Sequence, residues 1–187
     1  MDLGIPEVKF FPWVGSRYCR TGYRGKKLLI LGESEYQRPG SNLEPELVST
    51  LITDNKFRFY KKVYRSISDG VEEDSQMFWN SVAFYNYVQE AVGTAPRQRP
   101  SHEMWTNSAV PFRLVLNKLD PDRVLVLGCA LWANLQSLGL IAVDSTLKDS
   151  FYLSTNHKRI KAVHIRHPSS WGFKPATWRS IAASLLT

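Results

Sequence analysis

Three polar side chains stand directly after or within apolar runs of this chain, at positions where chemistry is commonly done. Residues 26–36 read Lys26-Lys27-Leu28-Leu29-Ile30-Leu31-Gly32-Glu33-Ser34-Glu35-Tyr36. Four apolar residues closed by glycine predict a short strand buried on both faces. It delivers the carboxylate of Glu33 at its carboxyl end, where open α/β sheets place their ligands. Asn86 lies near the end of a second run, rich in Val, Phe and Tyr, and a carboxamide among strand formers needs partners for its donor and its acceptor. Arg166-His167-Pro168-Ser169-Ser170 follows the last apolar run. An acid, an amide and an imidazole on one pocket would offer hydrogen bonding and proton handling. The plainer alternatives are a solvated turn at Glu33 and Glu35, loop satisfaction by Asn86 and a strand-capping role for His167.

The elements that must position these groups can be read in order. Residues 1–25 carry Pro6, Pro12, Gly15, Gly22 and Gly25 among aromatics and predict an irregular N-terminal arm over the sheet. Asn42 can cap a helix over 43–52 that has Pro45 in its first turn. Phe57, Tyr60, Tyr64 and Ile67 recur at three- and four-residue spacing, which makes 56–67 an amphipathic helix with its basic residues outward. Glu72-Glu73-Asp74 reads as the acidic first turn of a short helix through Trp79. A strand over 81–88 and a loop over 89–100 follow. Ser101 then caps a helix towards Lys118 that is kinked or restarted near Pro111. Residues 123–127 form a third strand, 130–138 a helix, and 160–165 a fourth strand leading into His167, while Pro175 opens a last helix. Residues 144–156 have no assignment. Alternating strands and helices predict an α/β fold, a three-layer αβα sandwich with a central, mainly parallel four-stranded sheet in one domain spanning 1–187. Parallel strands share a direction, so Glu33, Asn86 and His167 fall on one sheet edge.

Composition narrows the classes. With 187 residues and 43% hydrophobic content, the chain can bury a core without staples. Cys19 and Cys129 are its only cysteines, too few for a four-cysteine iron–sulfur cluster or a thiolate zinc site. No apolar run approaches the roughly 20 residues of a membrane span, and no targeting segment is evident, so the expected compartment is the cytoplasm. The formal charge is +7. Residues 145–187 hold Lys148, Lys158, Arg159, Lys161, Arg166, Lys174 and Arg179 against Asp149 alone, and Lys56, Arg58, Lys61, Lys62 and Arg65 cluster in one predicted helix. Such surfaces attract polyanions, nucleic acid first among them.

These residues resemble the uracil-DNA glycosylase superfamily. Its pattern is a buried strand ending in Gly-x-x-x-Tyr or Gly-Glu-x-Pro-Gly, a second strand ending in Asn, and a fourth followed by His-Pro-Ser. Here the blocks stand as Gly32-Glu33-Ser34-Glu35-Tyr36, Phe84-Tyr85-Asn86-Tyr87-Val88 and His167-Pro168-Ser169. Arg97-Gln98-Arg99-Pro100, and Leu119 to Gly128, are most similar to the iron–sulfur subgroup. The similarity runs from about Lys26 onward and rests on the order and spacing of short motifs.

The resemblance implies a flipped base in the pocket, since a glycosidic bond inside a stacked duplex is out of reach. It implies that Asn86 reads the Watson–Crick edge and that His167 hydrogen-bonds the base oxygen on which charge grows. Glu33 then orients the attacking water and counters the positive charge on the sugar. Gly32, Ser34, Tyr36 and Ser169 complete the base site, Tyr36 excluding a thymine methyl. Arg166, Ser170, Trp171 and Lys174 meet the DNA, Trp171 as a wedge where the base left the stack. The implied partner is single-stranded or mismatched DNA, with no cofactor, no metal cluster, no membrane and a monomeric chain. The sequence departs from the family in carrying Ser34 where some members have the water-activating aspartate, and in lacking the cysteines of the Gly-Glu subgroup. The stacking aromatic is open among Phe84, Tyr85 and Tyr87. Another damaged base, or an inactive relative, stays open as well.

Two other classes use the same residues. Gly32-Glu33-Ser34 and His164-Ile165-Arg166-His167-Pro168 imitate the blocks of a serine esterase, with Ser34 as nucleophile and His167 as its base. There His164 occupies the position of the required acid and cannot orient the base as a carboxylate does. A non-catalytic nucleic-acid-binding relative would use the same groups only to grip its ligand. Cys19 and Cys129 read as small buried hydrophobes rather than nucleophiles.

Overall fold

A computed structural model of the chain describes residues 4–35, 58–68, 74–93, 98–144 and 150–186. The predicted helix over 43–52, the first-turn acids Glu72 and Glu73, and Tyr36 lie outside the described residues. The chain is a mixed α/β protein. Its strands are β1 (Trp13–Val14), β2 (Leu28–Gly32), β3 (Val82–Asn86), β4 (Arg123–Leu127), β5 (Ile141–Asp144), β6 (Ser150–Ser154) and β7 (Arg159–Ile165). Its described helices are α1 (Arg58–Ile67), α2 (Ser75–Ser81), α3 (His102–Asn107), α4 (Ala109–Leu119), α5 (Cys129–Ser137) and α6 (Pro175–Ser184).

The sheet runs β1-β3-β2-β4-β7-β6-β5, so it has seven strands rather than the four expected. The four expected strands form its parallel centre: β2 pairs β3 and β4, and β4 pairs β7, all in parallel. β2, β3 and β4 are largely apolar because both faces are covered, whereas β7 carries Lys161 and His164, both half-buried. Leu29, Leu31, Tyr85, Val124 and Val126 join one buried cluster, and Leu28, Ile30, Phe84, Leu125 and Leu127 the other. The three additional strands are antiparallel and flank this centre. β1 is a two-residue strand inside the arm read as irregular, paired through Trp13 and Phe84. β5 and β6 form an antiparallel pair beside β7, in and beside the stretch left unassigned. Val143 in β5 is 59% exposed, so this edge pair is covered less completely than the parallel centre.

The end of the sheet away from the candidate site is held by charge. Lys27 Nζ donates to Asp120 at 2.6 Å, and Lys158 Nζ reaches Asp120 at 2.9 Å and Asp122 at 3.1 Å. The Lys27 N–H donates to Asp122 at 2.9 Å, so the entries to β2, β4 and β7 are joined by one network. Hydrogen bonds from Lys158 and Lys27 hold the Asp120 carboxyl below its usual range. For Asp122, burial pulls upward, but the Lys27 and Lys158 bonds win and the net direction is down.

Ser101 caps α3 as expected, its Oγ accepting from the Met104 N–H at 3.2 Å. The restart expected near Pro111 falls at Ser108, between α3 and α4. Ser108 Oγ donates to the Met104 carbonyl at 2.7 Å and accepts the Gln89 N–H at 3.1 Å, which ties the break to the segment after β3. Gln89 extends this tie. Its Nε2 donates to the Asn86 carbonyl at 2.9 Å, while its Oε1 accepts the N–H groups of Lys9 and Phe10 at 3.1 and 3.0 Å. The N-terminal arm is thereby fastened to the strand end that carries Asn86.

Candidate functional site

The parallel order places the ends of β2, β3, β4 and β7 along one edge. Gly32 and Asn86 are direct partners across β2 and β3. A Cβ on Gly32 would collide with Asn86 Oδ1, so only glycine lets the carboxamide lie across the end of β2. Asn86 Nδ2 donates to Glu35 Oε2 at 3.3 Å, which supplies the partner its strand position calls for. Backbone pairing continues beyond the strands: the Tyr87 and Val88 N–H groups donate to the Gly32 and Glu33 carbonyls, both at 2.9 Å. Glu33 is therefore fixed at the strand exit rather than carried on a free turn.

Glu33 is 8% exposed, and its two carboxylate oxygens accept from Arg99 Nη1 at 2.8 and 3.1 Å. A buried carboxylate requires such a partner. The Arg99 side chain is itself 68% exposed, so the cation closes the carboxylate from the solvent side. Its loop is seated by Gln98, whose amide occupies the space a Cβ on Gly93 would need.

His167 enters from β7, two residues past its end. Its Nδ1 accepts the Ser169 N–H at 3.2 Å, and its carbonyl accepts the Ser170 N–H at 2.9 Å. Burial, followed by the charges of Arg99 and Lys62, draws the imidazole pKa down to about 4. The ring is neutral at physiological pH, and with Nδ1 accepting, its proton sits on Nε2. Two neighbours fix it: Phe59 lies against the ring at 5.5 Å between centroids, and Lys62 Nζ donates to the Pro168 carbonyl at 2.8 Å. On the other side Gly128, at φ +120°, lets β4 turn into α5 beside the ring, where a Cβ would stand 3.4 Å from His167 Cβ.

Glu33, Arg99, Gly128, Cys129, Ala130, Arg166, His167 and Ser170 line one cavity of about 180 Å³. That is smaller than the roughly 300–1,000 Å³ of pockets for drug-sized ligands and suits one small ring system. It presents a carboxylate acceptor, two guanidinium groups and a neutral imidazole donor. Among the described residues no group of three His, Cys, Asp or Glu could hold a metal ion, and no helix is long and apolar enough to cross a membrane.

The expected residues fall as follows. Glu33, Arg166, His167 and Ser170 share the cavity. Gly32 ends β2 directly before Glu33, and Asn86 lies one strand over on β3; neither is in the cavity lining. Ser34 is half-buried after β2 and outside the lining, and no hydrogen bond joins it to His167 among the described residues. Ser169 is exposed and acts through its backbone N–H. Trp171 is 91% exposed, and Lys174 is exposed at the start of α6. Phe84, Tyr85 and Tyr87 are all buried in the core and none lines the cavity. Both cysteines are exposed, against the buried placement expected. His164 stacks on Trp132 at 4.6 Å, in the cluster on the face of the sheet opposite α1.

Arg99, Lys62 and Phe59 are the contributors to which sequence reading assigned no site role. Arg99 stood in a quoted motif, and Lys62 and Phe59 in a predicted amphipathic helix, but their partners exist only after folding. No protein-family model matches the chain, and no curated protein does.

Proposed function

We propose that this chain is a DNA glycosylase-like hydrolase, cleaving the N-glycosidic bond of uracil or a related damaged base, on a three-layer αβα frame. The observation that carries the reading is the state of His167: a neutral ring whose Nδ1 is taken and whose Nε2–H is its donor, in one cavity with a buried carboxylate. Such a donor stabilises negative charge developing on a carbonyl oxygen of a departing base. Glu33 would hold the attacking water and balance the oxocarbenium-like sugar. Arg99 and Arg166 add positive potential where an anion departs. Asn86, Tyr36 and Ser169 would orient the base, and Trp171 would occupy the gap in the stack. The flipped nucleotide would come from single-stranded or mismatched DNA, met by a monomer.

An esterase needs His167 to accept a proton from Ser34, and the occupied Nδ1 and the position of His164 give that reading less support. The test is incubation with oligonucleotides containing uracil, hypoxanthine or xanthine, with abasic sites scored by alkaline cleavage. Base release is expected, falling roughly 100-fold or more for His167→Ala, as for loss of an oxyanion-type donor. Asn86→Ala is expected to lose release as well. Ester turnover abolished by Ser34→Ala would select the esterase instead. Salt-sensitive DNA binding without abasic sites would select the non-catalytic relative.

A further inference from the structure

The chain's positive charge is not spread over its surface. Residues 58–68 and 150–186 contain ten of the 24 Lys and Arg and none of the 17 Asp and Glu, so the remainder of the chain carries a net charge of −3. These two segments meet in space. α1 and α6 pack on the same face of the sheet, contributing Tyr60, Val63, Ile67 and Ala182 to one cluster, and Arg179 donates to the Arg65 carbonyl at 3.4 Å.

Along α1, Arg58, Lys61 and Arg65 fall within an arc of about 60° at roughly 100° per residue, and span about 10 Å of helix. All three are exposed. The helix begins at the cavity, where Phe59 lies against His167, and Lys62 joins it to the His167 loop through the Pro168 carbonyl. The same loop carries Arg166 and Lys174, both exposed, with the exposed Trp171 between them in sequence. Lys158 and Lys161 do not belong to this surface: they are engaged at the far end of the sheet, with Asp120 and Asp122 and with the Ser184 carbonyl.

We infer that the exposed stripe of α1 is a phosphate track for the single strand flanking the nucleotide in the cavity. Exposed cations together with an exposed aromatic are the groups by which single-stranded nucleic acid is held without sequence preference. The inference rests on the glycosylase-like reading only for what occupies the cavity. The track itself is a binding surface and is tested without catalysis.

The probe is a fluorescein-labelled DNA strand of about 20 nucleotides without damaged bases, longer than one typical single-strand site. Its binding to the full chain is measured by anisotropy across a salt series. Each phosphate contact on a single strand adds about 0.7 to the slope of log affinity against log salt. The triple variant Arg58→Gln, Lys61→Gln, Arg65→Gln should flatten the slope by about 2 and weaken binding roughly 100-fold near 0.1 M salt. The charge-keeping variant Arg58→Lys, Lys61→Arg, Arg65→Lys should bind like the parent, and circular dichroism verifies the fold of both. An unchanged slope in the Gln variant overturns the track. Tighter binding to intact duplex overturns the single-strand assignment, and equal binding to anionic phospholipid vesicles overturns nucleic acid as the partner. The strand carries no damaged base and binding is read without catalysis, so failure of the track and failure of the glycosylase-like reading are distinguished: base release can persist without the track, and the track without base release.

Discussion

His167 is the side chain whose protonation the surrounding structure sets most strongly. In the unfolded chain its pKa is near 6.5, whereas burial and the charges of Arg99 and Lys62 bring it to about 4 in the folded protein. The unfolded state therefore takes up the proton first. This group's contribution to stability is complete above about pH 6.5 and declines as pH falls towards 4. Long-range proton–nitrogen spectra recorded between pH 3 and 8 should give a midpoint near 4 and the Nε2-protonated tautomer at neutral pH. Arg99→Ala should move the midpoint upward, because one of the lowering charges is gone. A midpoint near 6.5 in the parent, or an Nδ1-protonated ring, would remove the basis for His167 as a neutral donor. The positions of Glu33 and His167 were legible in the sequence because each emerges within two residues of a strand's end, which fixes where the next residues lie. Arg99 was not legible in this way. Its role depends on where a proline-bounded loop settles against β2, which no local pattern encodes.

At the scale of elements, the joint between α3 and α4 controls more than helix geometry. Ser108 is 2% exposed and satisfies both the Met104 carbonyl and the Gln89 N–H, and Gln89 in turn holds the Asn86 carbonyl and the N-terminal arm. Ser108→Ala leaves a buried N–H without its acceptor, at a cost of about 1–3 kcal/mol. Calorimetry should record a Tm lower by several degrees, on the scale of about 2–4 °C per kcal/mol for a chain of this size. A shift under about 1 °C would mean that the joint is not the tie described. The parallel centre was readable at β2, β3 and β4 because strands covered on both faces are largely apolar, and the 123–127 strand matches the observed β4 residue for residue. The edge strands were not. β1 is too short to show a period, β5 is four residues long, and β6 is bounded by polar residues and gains its strand character from its partners β5 and β7. The restart at Ser108 was anticipated at Pro111, because a proline is visible in sequence and a serine's distant partner is not.

Across the molecule, opposite ends of the parallel strands carry opposite arrangements of charge: a closed network of Lys27, Asp120, Asp122 and Lys158 at one end, and cations around the cavity at the other. The folded carboxyls of Asp120 and Asp122 titrate below their ordinary 3.8, so the network's contribution is present above about pH 4 and is lost as pH falls through that region. Because these side chains are 34–46% exposed, solvent screening limits the effect to about 1 kcal/mol or less. Asp122→Asn should be less stable than the parent in denaturant titrations at pH 7, with the difference closing near pH 3. A gap that persists there would point to a packing effect instead. The strand order has a consequence for biosynthesis. β4 separates β2 from β7, and β7 follows β2, β3 and β4 in the chain. A nascent chain stalled before residue 159 has its acid and its amide but neither the imidazole nor the strand that links the parallel centre to β6. The pocket we propose is thus assembled only after the segment through Ser170 has been made, and copies ending before it would be inert.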